Sequence, residues 1–344
     1  MTTVRDEPES NDASIEALLR EVGARDEPSA ATASEVMSAV HAEWLTIVQQ
    51  RRHQQRVVAW RVAAGVALAV LVSTFSYRYL APAPAQVASV ANVDGQLLAS
   101  SDDDAFQTRA AGQLIRVGDI VQTDAQSRAA VSFPDGLSLR LDHGTRLIVD
   151  ATDRITLAAG AVYIDAPPEA RSANALTIDT SAGSVQHLGT QYEVRTQADA
   201  MVVSVREGRV RVTSPTSSDT GEAGQVLRLT KAGELSRSPL AATDSHWDWA
   251  LQAAPVFDID NQSLAVFLQW IARETGRHLV YSTPQAEATA GTVKLRGSIA
   301  GLDADVALST VLATTQFRRY QTNANEIGIE LAPIDSSVTT RPTR

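Results

Sequence analysis

The sequence predicts a single-pass membrane protein with a short α-helical cytoplasmic segment, an all-β periplasmic domain (sandwich, roll or solenoid) and a small α+β C-terminal domain. Three observations predict it. One apolar stretch, Val57 to Leu80, divides the chain into unequal parts. After it, apolar residues alternate with period two between turn signals. From about Val256, helical spacing and short strands succeed one another.

Residues 1–56 are acidic and rich in alanine. Ser14 is placed to cap a helix from Ile15 to Val22, with Ile15, Leu18, Leu19 and Val22 on one face. A second helix is expected from Ser34, with Val36, Val40, Trp44, Ile47 and Val48 at helical spacing. Pro28 and Ser29 separate the two. So short a piece builds no large core of its own, so its apolar faces point to a protein partner. Leu18, Leu19, Val40 and Trp44 are the candidate contacts.

Residues 57–80 read as a membrane helix. A bilayer core needs roughly 20 helical residues. The uncharged run Val62 to Tyr77 is shorter, but Arg61 and Arg78 can snorkel from its ends. Trp60, Tyr77 and Tyr79 sit at the positions of an aromatic belt. Arg51, Arg52, Arg56 and Arg61 crowd the N-terminal side, which places residues 1–56 in the cytoplasm and the bulk of the chain outside. The hydrophilic residues that precede the segment favour an uncleaved anchor over a signal peptide.

Residues 81–86 form a Pro/Ala linker. The all-β domain is expected over 87–240. In Arg128 to Leu141, Val131 and Phe133 alternate on one strand, and Leu137, Leu139 and Leu141 on the next. Pro134-Asp135-Gly136 turns between them. Asp94-Gly95, Ala159-Gly160, Glu207-Gly208 and Ala232-Gly233 repeat the pattern as further turns.

The α+β domain is expected over 256–334. Val256–Ile259 reads as a strand. Ser263 caps a helix bearing Leu264, Phe267, Leu268 and Ile271, which Gly276 ends. His278–Tyr281 and Val293–Ile299 read as strands. Asp303 caps a helix bearing Val306, Leu308, Val311 and Leu312. Phe317–Gln321 and Glu326–Leu331 are the last strands. The Ser/Thr-rich tail 335–344 is expected to be disordered.

The chain has 344 residues, a net charge of −10 and no cysteine. Its acidity argues against direct nucleic-acid binding. Without cysteine there is no disulfide framework and no thiolate chemistry. His41, His53, His143, His187, His246 and His278 show no metal-ligand spacing, and Asp102-Asp103-Asp104 lacks the EF-hand pattern. No phosphate loop or nucleophile elbow occurs. The expectation is a non-enzyme without cofactor or metal.

Several motifs stand in series. They are Gly118-Asp119-Ile120-Val121-Gln122-Thr123, Phe133-Pro134-Asp135-Gly136, Leu188-Gly189-Thr190-Gln191-Tyr192-Glu193-Val194, Arg206-Glu207-Gly208-Arg209-Val210-Arg211-Val212 and Gly224-Gln225. Together they resemble the FecR family of membrane-spanning regulators. The C-terminal part resembles the short domain at the N-terminus of secretins and TonB-dependent transducers. The resemblance implies an inner-membrane anti-sigma or sigma-regulator protein. Its cytoplasmic end would bind an extracytoplasmic-function sigma factor. Its periplasmic end would contact the signalling domain of a TonB-dependent outer-membrane receptor, often in iron–siderophore uptake. The cytoplasmic piece is shorter than in many members, with Trp44 its only tryptophan. The competing reading is a membrane-anchored periplasmic binding module without a sigma-factor partner. The resemblance also raises self-cleavage between Gly189 and Thr190, through attack of the threonine hydroxyl on the preceding carbonyl. Against it stands a simpler role, with Gly189 supplying an unusual backbone angle at a tight turn.

Overall fold

The computed structural model describes residues 16–18, 20–21, 29–32, 34–40, 65–70, 72, 85–101, 105–166 and 175–333, with Thr190 described by its backbone alone. The chain divides into two units, Met1–Pro82 and Ala83–Arg344.

In the first unit, residues 16–18, 20–21, 30–32 and 34–40 are helical. Leu18 is 63% and Val40 58% exposed. Leu19 and Trp44, the other two candidate contacts, lie outside the described residues. So does most of the membrane segment expected at 57–80. Residues 65–70 and 72 within it are helical, with Val66, Leu68, Val70 and Val72 exposed. Among the described residues, no helix is long and apolar enough to cross a membrane.

The second unit begins with one sheet of sixteen strands. Its first eight are β1 (Gln86–Asp94), β2 (Leu97–Ser100), β3 (Gln107–Thr108), β4 (Leu114–Arg116), β5 (Ile120–Thr123), β6 (Arg128–Ser132), β7 (Ser138–Leu141) and β8 (Arg146–Ala151). The rest are β9 (Arg154–Ala159), β10 (Ala161–Asp165), β11 (Thr177–Thr180), β12 (Gly183–Thr196), β13 (Ala200–Thr213), β14 (Ser218–Glu222), β15 (Gln225–Thr230) and β16 (Leu235–Pro239). Neighbours pair antiparallel except β9 and β11, which run parallel. The sheet curls over one core, to which β1 contributes Val87, β9 Leu157, β12 Val194 and β15 Leu227. A sheet of this length cannot stay flat. Strand twist accumulates, and curling buries the apolar face that alternation creates.

Hairpin turns fall where glycine permits a positive φ, as at Gly136 (φ 87°) and Gly160 (φ 82°). Glu207-Gly208 is a correction. It does not turn the chain but lies paired inside the unbroken strand β13, next to the bulged Arg206.

The chain then passes through a short 3₁₀ turn at Ser245–Trp247 into α1 (Asp248–Gln252). The α+β part holds α2 (Leu264–Thr275), β17 (His278–Tyr281), α3 (Pro284–Thr292), α4 (Ala304–Ala313), β18 (Phe317–Tyr320) and β19 (Glu326–Leu331). Its sheet runs β17-β19-β18. Ser263 caps α2, and Gly276 ends it at φ 66°. Asp303 caps α4. Phe267, Leu268, Leu308, Ile327 and Ile329 share a second core.

Two local expectations fail here, and one helix was not expected. Val256–Ile259 forms no strand, and Pro255 removes a ladder donor at its start. Val293–Ile299 contributes only an isolated bridge, Lys294 to Ser263, before Gly297 (φ 107°) breaks the run. The unanticipated helix α3 is capped by Thr283, with Pro284 at its start. It has no apolar stripe, only Ala286 and Ala290 buried, and that stripe is the signal the periodicity reading relies on.

Candidate functional site at the paired motifs

Two of the motif sites are turn chemistry. Asp119 is 1% exposed. Its carboxylate accepts from the backbone N–H of Arg116 at 2.9 Å and from the Ser101 hydroxyl. With Gly118 at φ 92° it closes the turn from β4 into β5. Asp135 accepts from the N–H of Leu137 at 3.2 Å, and Gly136 donates to the Phe133 carbonyl at 3.0 Å.

The other two motifs pair with each other. Thr190 stands opposite Gly208, and Gln191 opposite Glu207. The register slips on both sides of this pairing. Between His187 and Thr190 the extra residue belongs to β12, where Gly189 adopts φ 111° while buried. Between Gln191 and Tyr192 the extra residue is Arg206 of β13. Two bulges so close bend the strand pair and turn Arg206 out of the ladder.

Past the bulges, the outer face of the sheet carries polar side chains that are nonetheless buried. Arg140 on β7 lies opposite Tyr163 on β10, which lies opposite Glu193 on β12, which lies opposite Ser204 on β13. All four are at most 1% exposed. The connector and α2 cover them. Tyr163 packs edge-on to Trp247 and Trp249, with ring centroids 5.9 and 6.4 Å away. Every residue of β10 is therefore buried, the alternate ones against this second layer.

Charges are satisfied across the junction. Arg140 donates to both Glu274 carboxylate oxygens at 2.8 Å, to the Ala250 carbonyl at 2.8 Å and to Asp165 at 3.2 Å. Arg273 donates to Asp165 and to the Ala166 carbonyl. Arg206, displaced by its bulge, donates to the Ala242 carbonyl at 2.8 Å and the Glu274 carbonyl at 2.9 Å, and lies over the Trp247 ring. Burial works against the Arg140 charge, yet Glu274 and Asp165 outweigh it and its pKa is raised.

Glu193 is the other centre. It accepts from the Trp249 indole N–H at 2.7 Å and from Arg195 at 2.9 Å, and the His246 Nε2 lies 3.2 Å away. Burial pushes its pKa up, but His246 and Arg195 prevail and hold it below the usual carboxylate range. The His246 pKa is raised by that same carboxylate, against burial.

His187 and Tyr192 stack on each other, centroids 5.8 Å apart, two residues to either side of the Gly189–Thr190 pair. Both His187 nitrogens and the Tyr192 hydroxyl are buried without a hydrogen-bond partner. Burial lowers the His187 pKa, with Asp135 opposing. Among the described residues, no group of three or more His, Asp or Glu side chains is placed to hold a metal ion.

The arrangement joins the C-terminal layer to the sheet through buried ion pairs and aromatic contacts. Sequence reading singled out Gly189, Thr190 and Gly208, but not Arg140, Asp165, Trp249, Arg273 and Glu274. One signal was available for them: charged residues at alternate positions of apolar strands, Arg140 and Glu193 among them.

Residues 119–211 match the sequence model of the family described as FecR protein, so the chain carries a FecR domain over that stretch. No curated protein matches the chain in sequence. Two crystal structures of a "putative anti-sigma factor" from Parabacteroides distasonis are similar at 18% identity and a TM-score of 0.33. Each alignment covers 62% of this chain and 99% of that one. At that distance the likeness carries no argument about fold or mechanism.

Proposed function

We infer from the FecR domain at 119–211 that this chain regulates a sigma factor, as a single-pass relay in the inner membrane with its N-terminus inside. The domain match is the observation that carries the reading. The exposed apolar residues Leu18 and Val40 on helical segments support a cytoplasmic docking face. The arginine-bracketed run 57–80 supports a membrane crossing. The ion-stitched junction supports a signal-receiving end, because a layer held to the sheet at Arg140, Glu193 and Arg206 transmits displacement into β12 and β13. On this reading the partner outside is the signalling domain of a TonB-dependent outer-membrane receptor, in iron–siderophore uptake.

The test is co-purification of the tagged full-length chain from detergent-solubilised host membranes, with bound proteins identified by mass spectrometry. A sigma factor recovered with wild type and lost with Leu18→Asp or Trp44→Asp supports the relay. Its absence from the wild-type sample leaves an anchored binding module and ends the sigma-factor reading.

Self-cleavage at Gly189–Thr190 belongs to the same proposal. The hydroxyl of Thr190 attacks the Gly189 carbonyl carbon, the C–N bond breaks to leave an ester, and the freed amine takes the proton. Water then hydrolyses the ester. The missing Cβ of Gly189 supports it, since it leaves the carbonyl carbon unshielded to the hydroxyl. The β12–β13 ladder would keep the two fragments together.

A further inference from the structure

A groove of about 580 Å³ opens between the end of β1, the connector after α1 and the turn before α4. Its floor is the stacked pair Phe257 and Trp270, centroids 4.8 Å apart. Val256, 63% exposed, and Leu302, 41% exposed, stand in its walls. Among the described residues, the ionisable side chains lining it are Asp94 and Asp303, so its apolar patch of Val256, Phe257, Trp270 and Leu302 sits among polar groups with a negative charge.

The segment along one wall has the pattern of a strand and no partner. From Val256 to Ile259, burial alternates exposed, half-buried, exposed, buried. Among the described residues, no backbone hydrogen bond reaches Val256, Phe257 or Asp258. Exposed apolar side chains beside unpaired backbone groups offer an extended segment the two kinds of contact it makes in strand addition.

We propose that this groove binds an extended segment of a partner protein, apolar at alternate positions and flanked by lysine or arginine, added as a strand along 256–258. Each feature selects for that occupant. The free N–H and C=O groups are met by an extended backbone, whereas a helix consumes its own. The stacked aromatic floor takes side chains from one face of such a strand. Asp94 and Asp303 complement cationic flanks and repel acidic ones. The proposal rests on the relay reading only in giving this partner a signalling role.

The test uses the full-length chain in detergent and a fluorescein-labelled octapeptide, Lys-Thr-Val-Thr-Val-Thr-Val-Lys, followed by fluorescence anisotropy. Saturable binding is expected. Val256→Arg and Leu302→Arg should each weaken it about tenfold or more with an unchanged melting temperature, since both side chains are exposed. Asp94→Lys should weaken the lysine-flanked peptide and favour a glutamate-flanked one. A proline at the centre of the peptide should abolish binding. Absence of saturation at millimolar peptide overturns the proposal, as does equal binding by the proline peptide or by the arginine variants. A homodimer dissolved by Val256→Arg also overturns it, by showing a second copy in the groove. Peptide binding without sigma-factor recovery sinks the relay and leaves the groove standing. The reverse pattern sinks the groove alone.

Discussion

Arg140 and Glu274, 134 residues apart, meet as a buried two-pronged ion pair that fastens the C-terminal layer to the outer face of the β sheet. Their side chains are 2% and 5% exposed. Such a pair adds little net stability over an apolar match, because desolvating two charges consumes most of their attraction. Losing one partner is costly.

Glu274→Gln and Arg140→Met should therefore each destabilise the folded chain by about 3–5 kcal/mol in urea unfolding. The double variant Arg140→Met/Glu274→Gln should lose much less than the sum, since no uncompensated charge remains between them. Additive losses in the double-mutant cycle would mean that the two side chains act independently.

The Glu193–His246 contact makes stability depend on pH in two directions. The raised His246 pKa contributes stability that is complete below its unfolded value of about 6.5 and fades as pH rises through the folded one. The lowered Glu193 pKa contributes stability that is complete above about 4.3 and is lost as pH falls through the folded value. His187 adds to the acid side. Below about pH 6.5 the unfolded chain takes up a proton that the buried ring refuses. His246→Gln should thus remove the alkaline-side decline and shrink the acid-side one, leaving the parts that Arg195 and the buried His187 maintain. Unfolding curves from pH 3 to 9 measure this, and parallel profiles for wild type and variant would refute it.

Gly276 ends α2 where the connector crosses it. A Cβ there would stand 2.2 Å from the Ala242 carbonyl oxygen and 2.8 Å from the Arg206 Nε. Gly276→Ala should cost about 1–2 kcal/mol from the left-handed backbone alone, and more from the displaced connector. Proteolysis between the β and α+β parts should quicken. A melting temperature equal to wild type would contradict the close approach.

Self-cleavage has a direct readout. Wild type carrying tags at both ends should give two fragments on a denaturing immunoblot, and Thr190→Ala only full-length chain. A single full-length band in both leaves Gly189 as the backbone hinge of a bulge.

The Arg128–Leu141 hairpin, the Ser263 and Asp303 caps and the Gly276 stop were legible in the sequence, because each rests on residues within one turn of one another. Other features were not. Val256–Ile259 has strand composition but no strand, since a strand exists only through a neighbour's hydrogen bonds, and here the neighbouring chain leaves at Gly297. Glu207-Gly208 has turn composition but stays paired within a strand beside a bulge, because the partner motif at Gly189–Thr190 continues the ladder past it.

The functional residues divide in the same way. Period-two alternation determined by itself that Leu139, Leu141 and Val194 face a core, and that Arg140 and Glu193 face away. Only the tertiary structure decided that this second face is also buried, with Glu274, Trp249 and His246 arriving from more than 50 residues along the chain. A strand's sequence encodes which side each residue takes, through the fixed geometry of the pleat. What covers that side is a property of the whole chain's packing.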